Sequence, residues 1–184
     1  GDPCTINDFC DLGVCVPGEG VYAMTIDTLR DCIHGVTSPN GKFFTYHIES
    51  GETRVDDIYD EFIGRRGNLP RAMLCHGGNV YFSGKHGYII RYSPEDGRFE
   101  NTGAKAPVGR GREFLSTVSA LVEGADGTIF GGTFADGYLF TFCPETGEIL
   151  NLGKPSIENR VRDLTLGRDG MLWGLAGDDD QLTH

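Results

Sequence analysis

Nine of the sixteen basic residues in this 184-residue sequence fall in three short stretches, 58–71, 104–117 and 153–162. They are Arg65, Arg66, Arg71, Lys105, Arg110, Arg112, Lys154, Arg160 and Arg162, and only four acids accompany them: Asp60, Glu61, Glu113 and Glu158. The three stretches together carry +5, whereas the other 146 residues carry −16. Arginine predominates in the set, and its planar fork matches a carboxylate, sulfate or phosphate. Lys85 and His86 follow in a short Gly-flanked loop. Cations that neutralise a uronate carboxylate, with a base titrating near neutrality, are what proton abstraction beside that carboxylate requires. Arginines also tie backbone carbonyls together and surface charge also serves solvation, so the pattern has a purely structural reading too.

Other residues of chemical interest are sparser. Cys4, Cys10 and Cys15 lie within PCTINDFCDLGVCVPG, spacing that predicts a small disulfide-stapled segment over residues 1–19. Zinc is the weaker reading, because the stretch holds no Cys-x-x-Cys pair and the nearest histidine is His34. Asp178, Asp179 and Asp180 offer oxygens to Ca²⁺, without the spacing of a helix-loop-helix calcium loop. No His-x-His, His-Glu-x-x-His or Gly-x-Ser-x-Gly motif occurs, and GRGRE (109–113) lacks the Lys-Ser/Thr ending of a phosphate loop.

The totals exclude several classes. A net charge of −11 and a pI near 4.8 oppose a uniformly basic nucleic-acid binder. No apolar run reaches the roughly 20 residues of a membrane helix, so no membrane insertion is expected. Aromatics at 10% are too many for a disordered acidic tail, and the 28 glycines lack the every-third-residue period of collagen.

Those glycines mark a repeat. GKFFTYHIESGE (41–52), GYIIRYSPEDGR (87–98) and GYLFTFCPETGE (137–148) share one pattern: Gly, an aromatic strand, then a turn ending in Gly. Upstream, RAMLCHGGNVYFSG (71–84), SALVEGADGTIFGG (119–132) and RDLTLGRDGMLWGL (162–175) form a second recurring block. AMTIDTLRDCIHGV (23–36) fits it with one inserted residue. In this alignment His34, Phe82, Phe130 and Trp173 share one register position. Each unit reads as four strands; in the third they are 119–123, 128–132, 138–143 and 148–152. Four antiparallel strands per 40–50 residues, unable to cover their own faces, predict an all-β propeller. About three and a half blades are expected, at 20–70, 71–118, 119–161 and a partial 162–184, as part of a larger propeller.

Residues 20–184 resemble the β-propeller repeats of secreted bacterial proteins, in the style DGxLYGGTxxDGxLFxYDPETGExxxLG. The best matches are GADGTIFGGTFADGYLFTFCPETGEILNLG (124–153) and GRDGMLWGL (167–175). Such repeats occur in streptogramin lyases, gluconolactonase-like hydrolases and propeller polysaccharide lyases. The resemblance implies the fold, and it carries no catalytic residue onto this chain. Residues 3–18 also resemble Asp- and Cys-rich spacer modules (DGDPCT…DxCxxGVC) of secreted bacterial multidomain proteins. That likeness implies an extracellular location, with a further cysteine upstream of Gly1 in a longer chain.

In a blade, the A–B and C–D turns share one face of the disc, and the B–C loops and inter-blade crossovers share the other. All three basic stretches are crossovers, so they belong to one face. Arg71, Ser119 and Arg162 occupy equivalent positions where innermost strand A begins, beside the central channel. The expectation is an extracellular module that binds an anionic polysaccharide or another protein chain through that face. The alternative is a propeller enzyme, a polysaccharide lyase or lactone-type hydrolase, acting at the channel.

Overall fold

The computed structural model describes residues 13–177; Cys4, Cys10, Asp178, Asp179 and Asp180 lie outside them. The described chain is all-β, with three four-stranded antiparallel sheets and a final two-stranded one. The first sheet is β1 (Gly20–Asp27), β2 (Cys32–Ser38), β3 (Lys42–His47) and β4 (Thr53–Asp57). The second is β5 (Met73–His76), β6 (Asn79–Ser83), β7 (Tyr88–Ser93) and β8 (Arg98–Lys105). The third is β9 (Thr117–Glu123), β10 (Ile129–Phe134), β11 (Leu139–Phe142) and β12 (Ile149–Gly153), close to the strands expected from the repeat. β13 (Val161–Leu166) and β14 (Leu172–Ala176) form the fourth. Strand order follows chain order in every sheet, the meander of a propeller blade. The first strands stand side by side, β1 by β5, β5 by β9 and β9 by β13, so the sheets fan out from an inner wall.

Burial between blades holds this arc together. Phe43, Ile63, Val80, Phe82 and Ile90 are buried in one core between the first two sheets. Ile89, Val118, Ile129 and Phe140 occupy the next, between the second and third. The strand-B glycines make room for these side chains. A Cβ on Gly131 would lie 2.1 Å from Cζ of Phe140, its partner across the ladder, and one on Gly35 would lie 2.4 Å from Phe44. The second blade exchanges the pair: Phe82 takes the glycine position and the smaller Ile90 stands opposite.

This exchange corrects the register expected from sequence. Residues His76 and Asn79 pair across a two-glycine turn in the second blade, whereas Glu123 pairs with Ile129 across a longer turn in the third. The shorter turn moves strand B by one residue, so Tyr81, not Phe82, is equivalent to His34, Phe130 and Trp173. Tyr81 packs edge-on against Phe142 of the next blade at 5.6 Å, and His34 against Tyr92 of its next blade at 5.5 Å.

The two ends of the arc differ. Val16, ahead of β1, packs on Phe44 and Tyr46 over the outer half of the first blade. Met24 and Ile26 on β1 stay exposed, as do Trp173 and Leu175 on β14.

Candidate anion-binding face

The crossovers and B–C loops interlock on one face of the arc. The Lys85 ammonium donates to the Asp60 carbonyl, fastening the second blade's B–C loop to the first crossover. Ser83 Oγ accepts from Val118 N–H at 3.0 Å and lies 3.3 Å from Thr117 Oγ1, anchoring the second crossover to β6. Asp136 is the hub of the third blade. Its buried carboxylate accepts from Gly109 N–H at 2.9 Å and lies 3.2 Å from Arg112 Nε. Arg112 also donates to the Ala135 carbonyl at 2.8 Å. Neighbouring Gly137 has φ +68, and a Cβ there would lie 2.2 Å from the Glu158 carbonyl, so only glycine lets the third crossover pass this close.

At the inner end of this face the ladders are bulged at Tyr22, Ser119 and Arg162, and Arg71 occupies the matching place ahead of β5. Arg71 Cζ sits 4.7 Å from the centroid of Phe134, the last residue of β10, and 5.9 Å from that of Tyr22. Arg160 Cζ lies 5.5 Å from the same Phe134 ring, and its backbone bridges to Phe134. Two guanidiniums thus lie over one phenyl ring, each within cation–π range. Arg71 Nε is buried and has no hydrogen-bond partner among the described residues. An unpaired buried donor is costly unless a ligand or water satisfies it.

The remaining predicted residues are placed as follows. Arg65 stacks over exposed Phe114 at 5.8 Å and donates to Asn68 Oδ1 at 3.1 Å. Arg66 and Arg110 are exposed on the crossovers. Arg162 is half-buried, whereas Ser119 is buried and donates to the Val161 carbonyl, tying the third blade to the fourth. His86 is exposed in a left-handed conformation at φ 57, and it makes no hydrogen bond or ion pair with the arginine–aromatic cluster among the described residues. Cys15 carries a free thiol. Sequence reasoning missed Tyr22, Phe114, Phe134 and Asp136. Aligning β1 with the other inner strands would have found Tyr22, which shares the repeat position of Arg71 and Arg162.

The opposite face is acidic. A cavity of about 810 Å³ there is lined by Asp126, Cys143, Glu145, Glu148 and His76, with no Lys or Arg. Cys143 donates to Glu145 at 3.2 Å, and His76 Nδ1 lies 3.0 Å from Glu123. Among the described residues no three His, Cys, Asp or Glu side chains are grouped to hold a metal ion.

No protein-family model and no curated protein matches this sequence. Solved structures match it throughout. The extracellular domain of BT4673 from B. thetaiotaomicron superposes with a TM-score of 0.63 at 22% identity, over 84% of this chain and 19% of that one. Virginiamycin B lyase from Staphylococcus aureus, as a catalytically inactive histidine-to-alanine variant with quinupristin, gives 0.69 at 15% identity over 89% of this chain and 52% of its own. The WD40 β-propeller domain of Doa1 gives 0.61 at 10% identity over 86% and 48%. This chain therefore spans about a fifth to a half of these three structures, and what it shares with them is the propeller fold.

Proposed function

We propose that this chain is an extracellular propeller module that binds an anionic polysaccharide of the uronate class through its crossover face. The observation that carries the reading is the Arg71–Phe134–Arg160 stack beside Tyr22, with a buried Arg71 donor left unsatisfied. Aromatic rings offer a surface for the apolar face of a sugar, and the guanidiniums fork onto carboxylates. Exposed Arg66 and Arg110 extend the positive rim along a chain of repeated charges. The extracellular assignment is supported by the likeness of residues 3–18 to secreted spacer modules, and the match to an extracellular domain is compatible with it.

Retention on immobilised pectate or alginate tests the proposal. The Arg71→Ala/Arg160→Ala double variant is expected to elute with at least about tenfold weaker affinity, the loss of one to two charge-assisted contacts. Arg168→Ala, an exposed arginine in the A–B turn of the fourth sheet, serves as the control and keeps wild-type retention. Equal retention of all three proteins overturns the reading.

A second reading, a uronate lyase, has His86 and the arginines on the same face in its favour. It requires unsaturated uronate product to accumulate, seen as new ultraviolet absorbance when the chain is mixed with pectate. Binding without that product leaves the module.

A further inference from the structure

Several basic residues of the crossover face sit on aromatic rings, and these pairs follow one another from the rim inward. At the outer strands of the second blade, Lys105 Nζ lies 5.4 Å from the ring centroid of Tyr88, its cross-strand partner. Further in, Arg65 Cζ lies 5.8 Å from that of Phe114. At the inner strands come Arg71 and Arg160 on Phe134, with Tyr22 alongside.

The middle of this series is firmly built. The turns Arg66–Asn68, Lys85–Gly87 and Glu113–Leu115 pack together there, two from the adjoining crossovers and one from the B–C loop between them. Asn68, 3% exposed, donates its amide to the Ile63 carbonyl at 2.8 Å and accepts Arg65 Nε at 3.1 Å. The guanidinium is thereby fixed by one edge, and among the described residues its Nη groups meet no acceptor. Glu113 is turned to its own backbone, accepting from Gly111 N–H at 3.3 Å. His86 and Gly87 both hold left-handed backbone, φ 57 and 76, and the Gly87 carbonyl accepts from Ala106 N–H at 2.9 Å. A Cβ on Gly87 would lie 2.3 Å from Ser116 Oγ, so this loop sits closely on the second crossover. Phe114 is nonetheless 52% exposed. An open ring on a fixed backbone, beneath a cation with donors to spare, suits a ligand that is apolar on one side and anionic at its edge. These residues belong to the second blade and its two crossovers, with a complete four-stranded blade on either side.

We propose that the three aromatic–cation groups form one radial track for an internal stretch of a polyuronate, each taking a separate uronate of the same chain. The proposal rests on the polysaccharide reading above and sharpens it: the ligand is a polymer several residues long, not a free sugar. Four strands at their usual spacing set the rim and the inner end about 14 Å apart, more than one sugar ring spans. Each further uronate then binds as a tethered group, so affinity climbs with chain length until the track is full.

Calorimetric titration with galacturonate oligomers of increasing length, and with inorganic polyphosphate as a ringless polyanion, tests the track. Affinity is expected to rise at least about tenfold from the dimer to the hexamer and then to level off. Phe114→Ala changes no charge; it is expected to weaken hexamer binding about fivefold or more and to leave polyphosphate binding at the wild-type value. Lys105→Gln removes a charge and should weaken both ligands. Leu29→Ala, 76% exposed in the first A–B turn on the opposite face, changes neither. A wild-type chain that binds the hexamer no better than the dimer overturns the track, and so does a Phe114→Ala variant with wild-type hexamer affinity. Equal loss of hexamer and polyphosphate in Phe114→Ala also overturns it, since the ring would then only support Arg65. In those cases the polysaccharide reading stands; failure of the wild-type chain to bind any uronate, pectate included, overturns both.

Discussion

His34 shows how one side chain can serve packing and set a pH limit. It is 1% exposed, stacked on Phe43 and edge-on to Tyr92, with Nδ1 3.0 Å from Thr45 Oγ1 and Nε2 3.7 Å from Asp27 Oδ2. Burial lowers its pKa, and the Asp27 carboxylate opposes that shift without reversing it; Arg30 and His47 add to the lowering. A folded pKa below the ordinary 6.5 means that the unfolded chain binds the proton more readily. Stability is therefore complete above pH 6.5 and is lost as pH falls through the folded pKa. Thermal unfolding measured between pH 7.5 and 5 should show this decline, and His34→Phe should flatten it while keeping the ring packing. Asp27 acts lower: burial raises its pKa, but Arg30 and the N–H groups of Leu29 and Arg30 lower it further. Its share is lost only below the ordinary 3.8. The sequence identified His34 as a packed strand residue because the repeat aligned it with aromatics. It could not reveal Asp27 beneath it, since that contact depends on how β1 and β2 pair.

Across a blade, the unit of design is the cross-strand pair. Gly131 faces Phe140 and Gly35 faces Phe44, while Phe82 faces Ile90. Where Phe82 replaces the glycine, the residue opposite shrinks from Phe to Ile, which relieves the ring-on-ring clash although the pair as a whole is larger. Gly131→Ala is expected to destabilise the chain by about 2 kcal/mol, because the new methyl meets a buried ring. Adding Phe140→Leu should recover part of that loss, and chemical denaturation of the two single variants and the double variant measures the coupling. Strand existence and order were legible from the Gly-bounded aromatic runs and the turn residues, down to a residue or two in β9–β12. The register of β6 was not. A turn shortened by one residue and a glycine replaced by Phe82 produce, in sequence, the same string as an unshifted strand. The arginine face was legible for a related reason: crossovers are fixed by topology, so residues in them share a side whatever their conformation. Which arginines are engaged was not legible, because Asp136 and Phe134 reach them from a different blade.

For the molecule as a whole, charge is divided along the axis of the arc. The crossovers carry the excess of arginine, while the groove on the far face is lined by carboxylates. Capture of a polyanion should therefore weaken as ionic strength rises, with most of the change in the association rate. Surface plasmon resonance between 0.05 and 0.5 M salt (roughly, where screening shortens from above 10 Å to below 5 Å) is the measurement. A salt-independent rate would place binding on the aromatic rings alone.

The acidic groove around His76, Cys143 and Glu145 gains a meaning from this division. A body with opposite charge on its two faces has a permanent dipole, and a fixed polyanion turns it one way up. Adsorbed through the arginines, the chain would carpet a polysaccharide with its carboxylate-lined side facing outward. The coated surface keeps a negative sign, now displayed as discrete cups of protein rather than as a continuous polymer charge.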